Sequence, residues 1–225
     1  MMLREIARGL WVAERPHRFA GVELGARMTV IRLADGGLFV HSPVALDFEL
    51  SRELTGLGEV RWVIAPNRMH HVHAHEYVAA FPGAKIFGSP ALVKKRRDLH
   101  FDGVLGGTAP AQWAGQIEQR FLAPVLAETV FFIPATRTLL VTDLVANIQR
   151  APRAVDRLVL RLDGAYQRLA TPRAIAFFLR LGYAREVRAM FDAILEWDFD
   201  RVIMAHGDIV DRGGREALRR AWSFV

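Results

Sequence analysis

Four histidines stand within six residues, at His70, His71, His73 and His75. They follow a short apolar run, Trp62–Ile64, which breaks at Pro66-Asn67, and the pattern turns helical after them. Imidazole nitrogens are common ligands of transition metals. A histidine cluster between a buried strand and a helix is therefore a place where a metal site can be built.

Two further polar residues have the same local context. Asp143 directly follows the apolar run Thr138–Thr142, and His206 directly follows Arg201–Ala205. Strand ends gather at one edge of a mixed sheet, so both residues could converge with the histidine cluster although they are distant in sequence. Imidazoles and a carboxylate together suit Zn²⁺, or Fe or Mn. Such an ion would lower the pKa of a bound water and provide a nucleophile for hydrolysis.

The elements that carry these residues alternate between strands and helices. Asp35-Gly36, between the apolar runs Met28–Leu33 and Leu38–His41, predicts a β-hairpin. A second hairpin is predicted from Thr129 to Thr142, and an amphipathic helix over Ala184–Trp197. Two blocks of strands, each followed by helices, predict an α/β protein in which two sheets pack together with helices outside. We expect one domain over residues 1–225.

Composition restricts the class of protein. The chain has 225 residues, of which 52% are hydrophobic and 24% charged, as is typical of a globular protein. It contains no cysteine, which excludes disulfides and thiolate metal sites. No secretory signal and no apolar run of about 18 residues is present. We therefore expect a cytoplasmic protein with no membrane partner; the sequence indicates no oligomeric state.

The chain has a net charge of +6, and its cationic residues form one dense run, Lys94–Arg97. Such a run could meet phosphate or an acidic partner. No aromatic residue is interleaved with it, which weakens an interpretation as a nucleic-acid site. A solvated helix end is the simpler interpretation, and nucleic acid is not an expected partner.

The order of these elements resembles the metallo-β-lactamase superfamily over most of the chain. Val63–His75 stands where that superfamily carries a His-x-His-x-Asp-His loop. Leu139–Asp143 resembles the strand that delivers its bridging aspartate, and Ile203–Gly207 resembles its last strand and final histidine ligand. Ala65-Pro66-Asn67 together with His70-His71 resembles a divergent bacterial branch described as a domain of unknown function. The resemblance implies a four-layer αββα sandwich of two mixed sheets.

The histidine loop departs from the superfamily motif, and two registers are open. When the loop is aligned from the preceding strand, Pro66 and Arg68 stand at the first two histidines of the superfamily motif. His70 then stands at the aspartate of the motif, and His71 matches its last histidine. When the loop is aligned on the histidines instead, His71 and His73 match the first two histidines of the motif. No histidine occurs between His100 and His206, so the ligand expected near Pro124–Glu128 is missing. A complete two-metal site is therefore not expected.

A reduced site with one ion is the remaining metal hypothesis. The resemblance implies that His71, Asp143 and His206 hold the ion and that Asp143 and His206 act in catalysis. A fourth ligand would come from His70, His73 or His75. The same residues also allow a polar remnant that binds no metal.

Two functional hypotheses follow for the cleft that these residues would line together with Asn67 and Trp113. In the first, the protein is a metal-dependent hydrolase of an ester, thioester or phosphoester. In the second, it is a non-catalytic descendant of the fold that binds a small molecule or a protein in the same cleft. The ligand residues that match the superfamily suggest the hydrolase, and the ligand residues that are missing suggest the non-catalytic binding protein.

Overall fold

The computed structural model describes residues 2–123 and 126–224. Pro124 and Val125, at the start of the stretch where the superfamily ligand is missing, lie outside the described residues, as do both terminal residues. The strands are β1 (Arg4–Ala7), β2 (Leu10–Arg15), β3 (Arg18–Phe19), β4 (Val22–Glu23), β5 (Ala26–Arg32), β6 (Gly37–His41), β7 (Glu59–Ala65), β8 (Lys85–Gly88), β9 (Gly103–Val104), β10 (Glu118–Leu122), β11 (Glu128–Ile133), β12 (Thr138–Leu140) and β13 (Arg201–Ile203). The helices are α1 (Phe48–Leu57), α2 (Ala74–Ala80), α3 (Pro90–Lys95), α4 (Ala154–Asp163), α5 (Arg173–Arg180), α6 (Ala184–Leu195) and α7 (Gly214–Ala221).

The strands form two mixed sheets and a short hairpin. The first sheet has the order β1-β2-β5-β6-β7-β8-β9, antiparallel as far as β6 and parallel from β6 onward. The second has the order β10-β11-β12-β13, with β12 and β13 parallel. Strands β3 and β4 pair only with each other. The predicted fold class, an α/β sandwich of two mixed sheets, is confirmed.

Apolar side chains from both sheets meet in a common core, to which Phe39, Ile64, Phe131 and Leu140 contribute. The outer face of the first sheet packs against α1 and α2. The outer face of the second packs against α6 and α7. Burial of apolar surface on both faces of each sheet is what stabilises a four-layer arrangement.

Both predicted hairpins are present, whereas several strands were not predicted, namely β1, β3, β4, β9 and β10. Asp35 supports the first turn, since its Oδ1 accepts a hydrogen bond from the amide of Gly37 at 2.9 Å. Strand β10 begins at the end of Phe101–Gln119, a stretch rich in glycine and proline that the sequence predicts to be irregular. Polar Gln119 and Arg120 at its centre hide the apolar alternation of a strand, although Gln119 is buried beside Trp113.

The topology brings three strand ends to one edge of the sandwich. Strand β7 ends just before the histidine loop, and the parallel neighbours β12 and β13 both run toward that edge. A hydrogen bond of 2.9 Å from the amide of Thr129 to the carbonyl of Pro66 ties the two sheets together there. No helix among the described residues is long and apolar enough to cross a bilayer.

Candidate metal site

Three side chains from the three strand ends converge at this edge: His70, Asp143 and His206. One ligand atom of each lies within 4.8 Å of the other two. Asp143 Oδ1 is 3.3 Å from Nε2 of His70 and 3.3 Å from Nε2 of His206. Nitrogen and oxygen ligands about 2.0–2.1 Å from a tetrahedral zinc ion lie roughly 3.3 Å apart, so the observed spacing matches that of two ligands of one ion.

The tautomer of His206 is fixed by the backbone. Its Nδ1 lies 2.6 Å from the carbonyl oxygen of Gly25, which can only accept, so Nδ1 carries the proton. A neutral imidazole then points the lone pair of Nε2 at the carboxylate oxygen of Asp143. Two acceptors in contact require a cation between them, either a proton or a metal ion. A hydrogen bond from Nδ1 to a carbonyl oxygen is also a usual way in which a metal-ligating histidine is oriented.

His70 is held in a similar way by the end of β6. Ser42 Oγ lies 2.8 Å from His70 Nδ1, which leaves Nε2 facing Asp143. Ser42 reaches this position with a φ of +54°, an uncommon conformation for a residue with a side chain. Burial alone would lower the pKa of His70, but the neighbouring Asp143 carboxylate outweighs it and raises this pKa above its ordinary value.

Asp143 is anchored from the side opposite the histidines. Asn67 Nδ2 donates to Asp143 Oδ2 at 2.6 Å, so Oδ1 remains directed at the two imidazoles. Burial opposes ionisation of this carboxyl, yet the charge of His70 and hydrogen bonds from His206 and His70 hold its pKa far below its ordinary value. Asp143 is therefore a carboxylate, the form that binds a metal.

Glu128 supports the candidate site and was not singled out from the sequence. It lies fully buried at the start of β11, and its carboxylate accepts the amides of Thr142 at 2.7 Å and Asp143 at 2.9 Å. Burial, reinforced by the nearby charge of Asp143, raises the pKa of Glu128. The side chain thus fixes the backbone that carries Asp143. Its position directly before the predicted hairpin at Thr129 was the available signal, but acidic residues are rarely buried unless paired.

Arg27 and Gly207 fix the turn that carries His206. The buried guanidinium of Arg27 donates to the carbonyl of Met204 at 2.6 Å and to that of Gly207 at 2.5 Å, on either side of His206. Gly207 has a φ of +87°, and a Cβ there would lie 2.2 Å from the carbonyl oxygen of Asn147. Only glycine fits this position without displacing the backbone at Asn147.

The four histidines of the cluster have different surroundings in the structure. His70 lies in the site, whereas His71, the ligand preferred from the sequence, faces the other way: its Nε2 accepts from Arg96 Nη1 at 3.0 Å. Burial and then the charge of Arg96 lower the pKa of His71. His73 Nδ1 lies 2.7 Å from Glu76 Oε1, and His75 is exposed on α2. Neither His71 nor His73, the matching pair of the second register, lies among the three converging ligands.

The two residues predicted to line the cleft have other positions. Asn67 is buried beneath the site, where it holds Asp143. Trp113 is buried between the sheets, with Nε1 bonded to Gln119 and its ring against Phe39. A residue not singled out from the sequence, His17, instead lies above the site, its ring centroid 6.2 Å from that of His206.

A cavity of about 720 Å³ opens over the three ligands. His17, His70, Asp143 and His206 form part of its lining. The remaining wall is mostly apolar and comes from β3, β4, the histidine loop, and the chain from Val145 to Ile175. Its size is typical of a small-molecule site.

His41, one residue before Ser42, is fully buried with Nε2 lacking a partner among the described residues. Burial, followed by the charge of His70, lowers its pKa to about 3. In the unfolded chain this histidine has a pKa near 6.5. Between pH 3 and pH 6.5 the unfolded state therefore binds one proton that the folded state does not. Stability is therefore full above pH 6.5 and falls as the pH drops toward 3.

We expect His41→Phe to remove this acid sensitivity, because phenylalanine keeps the edge-on contact with Phe131 and cannot be protonated. The wild-type protein should lose about 3 kcal/mol more than the variant between pH 7 and pH 4. Urea unfolding at the two pH values measures the difference. His100→Phe is the matched control, because it also removes one imidazole but at a side chain that is 86% exposed. Equal pH dependence in wild type and His41→Phe would contradict the prediction.

Comparison with solved structures defines the class of this fold. The chain matches a metallo-β-lactamase from Hirschia baltica with a TM-score of 0.67, at 12% identity, over 99% of this chain and 96% of that one. It matches the metallo-β-lactamase FIM-1 from Pseudomonas aeruginosa, in its mono-zinc form, with a TM-score of 0.58, at 9% identity, over 98% and 96%. A metal-soaked flavodiiron core from Synechocystis matches with a TM-score of 0.62, at 14% identity, over 99% of this chain and 60% of that one.

The protein therefore has the metallo-β-lactamase fold. Within that class, the chain belongs to the DUF4336 family, a domain of unknown function, whose family model matches residues 8–172. The expected metallo-β-lactamase fold and the expected family of unknown function are thus both confirmed. No match was found among curated protein sequences.

Proposed function

We propose that this protein is a metal-dependent hydrolase with a single ion held by His70 Nε2, Asp143 Oδ1 and His206 Nε2. The observation that carries the proposal is the arrangement of these three atoms. The half-buried imidazole of His70 and the buried imidazole of His206 meet one carboxylate oxygen at the spacing expected of ligands of one ion. A carbonyl oxygen fixes the His206 tautomer that leaves its Nε2 available for the ion.

A bound Zn²⁺, Fe or Mn ion would supply Lewis acidity and lower the pKa of a coordinated water. Two of the similar folds are described with metal, one as a mono-zinc form and one as a metal-soaked flavodiiron core. Three protein ligands with a cavity on the open side are typical of catalytic rather than purely structural sites. These points support a catalytic role for the three ligands.

The residues around the three ligands have two roles: most of them position the ligands, and His17 can exchange a proton. Asn67 occupies Asp143 Oδ2 and Glu128 fixes the backbone of Asp143, so this carboxylate cannot turn away from the cavity. Ser42 and the carbonyl of Gly25 hold the two imidazoles at Nδ1. The imidazole of His17 also lines the cavity, and it has no hydrogen-bond partner among the described residues. Burial, and then the charges of His206 and His70, lower its pKa, so it is mostly neutral at pH 7 and can exchange a proton with a leaving group.

The apolar wall of the cavity favours a substrate that carries an apolar group beside its scissile ester, thioester or phosphoester bond. The apolar group would bind against Val22, Leu24, Leu160 and Ile175. Binding energy from that contact would hold the scissile bond at the polar end, next to the three ligands.

The test is hydrolysis by protein loaded separately with Zn²⁺, Fe²⁺ or Mn²⁺. The substrates are nitrophenyl esters of increasing acyl length, acyl thioesters and a nitrophenyl phosphodiester. We expect one bond class to be cleaved, and activity to be lost in Asp143→Ala. His17→Ala should keep the metal and lose roughly a hundredfold in kcat, as for a general acid or base. If no metal form cleaves any substrate, the hydrolase proposal fails and the non-catalytic binding hypothesis stands.

A further inference from the structure

We propose that the segment of residues 150–188 docks on the surface of an anionic lipid bilayer. The inference goes beyond the proposed hydrolase function and does not depend on a bound metal. It rests on an exposed apolar face and on the distribution of charge along the chain.

Helix α4 presents an apolar stripe to solvent. The stripe consists of Val155, Leu158, Val159 and Leu162, which are spaced like one face of a helix and are between 40% and 64% exposed. Buried Asp156 and Leu160 occupy the opposite side of the helix. The helix is therefore oriented with its apolar stripe outward, the reverse of a helix that covers a core.

The exposed apolar side chains are concentrated in this part of the protein. Of thirteen large hydrophobic residues exposed in the described chain, eight lie between residues 155 and 183. Besides the stripe they are Phe177, Phe178, Leu181 and Tyr183, in α5 and directly after it. Helices α4 and α5 are linked by a hydrogen bond of 2.9 Å from Arg173 Nη1 to the carbonyl of Leu162. Exposed apolar side chains gathered in this way mark an interaction surface.

The same segment carries the whole net charge of the protein. Residues 150–188 contain nine arginines and three acidic residues, whereas the rest of the chain has twenty-one cationic and twenty-one acidic residues. Among the described side chains of the segment, Arg153 with Asp156 is the one ion pair. Arg157, Arg168 and Arg173 bond instead to backbone carbonyls, which leaves their charge unneutralised.

Apolar side chains bordered by arginines favour one kind of partner. A second copy of this chain would bring two positive faces together, and nucleic acid offers no hydrocarbon to cover the leucines and phenylalanines. An anionic bilayer offers both acidic head groups and hydrocarbon, and helices of this composition lie in its interface. This differs from the sequence-based expectation of no membrane partner, which depended on the lack of a segment long enough to span a bilayer. A helix lying on the bilayer surface needs no such length.

Docking in this way would place the cavity at the bilayer surface. Val159 of the stripe also lines the cavity, together with Leu160 and Ile175 from the same segment. The apolar wall of the cavity is thus continuous with the proposed docking face. A ligand with a hydrocarbon chain could pass between them without crossing water.

The experiment is flotation of the purified protein with two kinds of vesicle, phosphatidylcholine alone and phosphatidylcholine mixed with phosphatidylglycerol. We expect flotation with the mixed vesicles, weakened by salt, and none with phosphatidylcholine alone. The double variant Leu158→Asp, Leu162→Asp should weaken binding by more than about tenfold. Phe48→Asp is the matched control, because Phe48 is 78% exposed on α1, outside the segment, and should leave binding unchanged.

The charge is tested separately. Arg180→Gln with Arg185→Gln should weaken binding about tenfold, and Arg212→Gln, on an exposed arginine outside the segment, should not. His206→Ala should float like the wild type, which separates this proposal from that of a metal-dependent hydrolase. Three results would overturn it: no flotation with anionic vesicles, flotation undiminished in the leucine variant, or a dimer in solution that is lost in the leucine variant without any flotation.

Discussion

His70→Ala is expected to abolish stoichiometric metal binding, whereas His71→Ala, one residue further on, is expected to retain it. His70 Nε2 faces the Asp143 carboxylate at 3.3 Å, and His71 Nε2 is occupied by a hydrogen bond from Arg96. Loss of a ligand should cost more than the ten- to hundredfold in affinity that is typical for loss of a supporting residue. Elemental analysis of untagged protein after dialysis against Zn²⁺ gives the stoichiometry, and calorimetry gives the affinity.

The adjacent pair is its own control, since both variants remove one imidazole from the same loop. The wild type should bind about one ion, as expected of a three-ligand site. Thermal unfolding with and without Zn²⁺ provides a second readout, because a ligand of the native state raises its stability. Metal retained in His70→Ala and lost in His71→Ala would show that the three converging residues are not the site.

Glu128→Ala is expected to destabilise the protein by about 3 kcal/mol. The substitution leaves the buried amides of Thr142 and Asp143 without their acceptor. Relief of the repulsion between the two carboxylates offsets part of this cost. The metal affinity should also fall, by about ten- to a hundredfold, because Asp143 loses the group that fixes its backbone. Urea unfolding and calorimetry at a temperature where the variant is folded measure the two effects.

Val130→Ala separates these effects from general loss of stability. Val130 lies in the same strand, β11, and is fully buried among apolar residues. Its truncation should destabilise the protein by about 1–3 kcal/mol and leave the metal affinity unchanged. If Glu128→Ala affects the metal affinity no more than Val130→Ala does, Glu128 has no role in positioning Asp143.

Strand ends were the predictable part of the site. Asp143 and His206 each follow an apolar run, and adjacent parallel strands necessarily present such residues at one edge. The same pattern predicted two blocks of strands and their hairpins, because apolar alternation and the Asp35-Gly36 turn are local signals. These features depend on neighbours in sequence, so the sequence alone contains them.

The choice between His70 and His71 was not predictable, because it depends on a single side chain in an irregular loop. Asn67 Oδ1 accepts the amides of Met69 and His70, and this turn determines which imidazole faces Asp143. A loop has no periodicity from which such a direction can be read. The role of Glu128 was hidden for a related reason, since its partners are amides that belong to a different strand end.

The contacts of Gly25 and Arg27 with the His206 turn join residues 181 and 180 positions apart in the chain. Closing so long a loop costs considerable chain entropy, so contacts of this kind tend to form after the main barrier to folding. Interactions that are absent from the folding transition state slow unfolding without accelerating folding. We therefore expect the support of His206 to contribute mainly to kinetic stability, and to lengthen the lifetime of the assembled site more than it speeds its assembly.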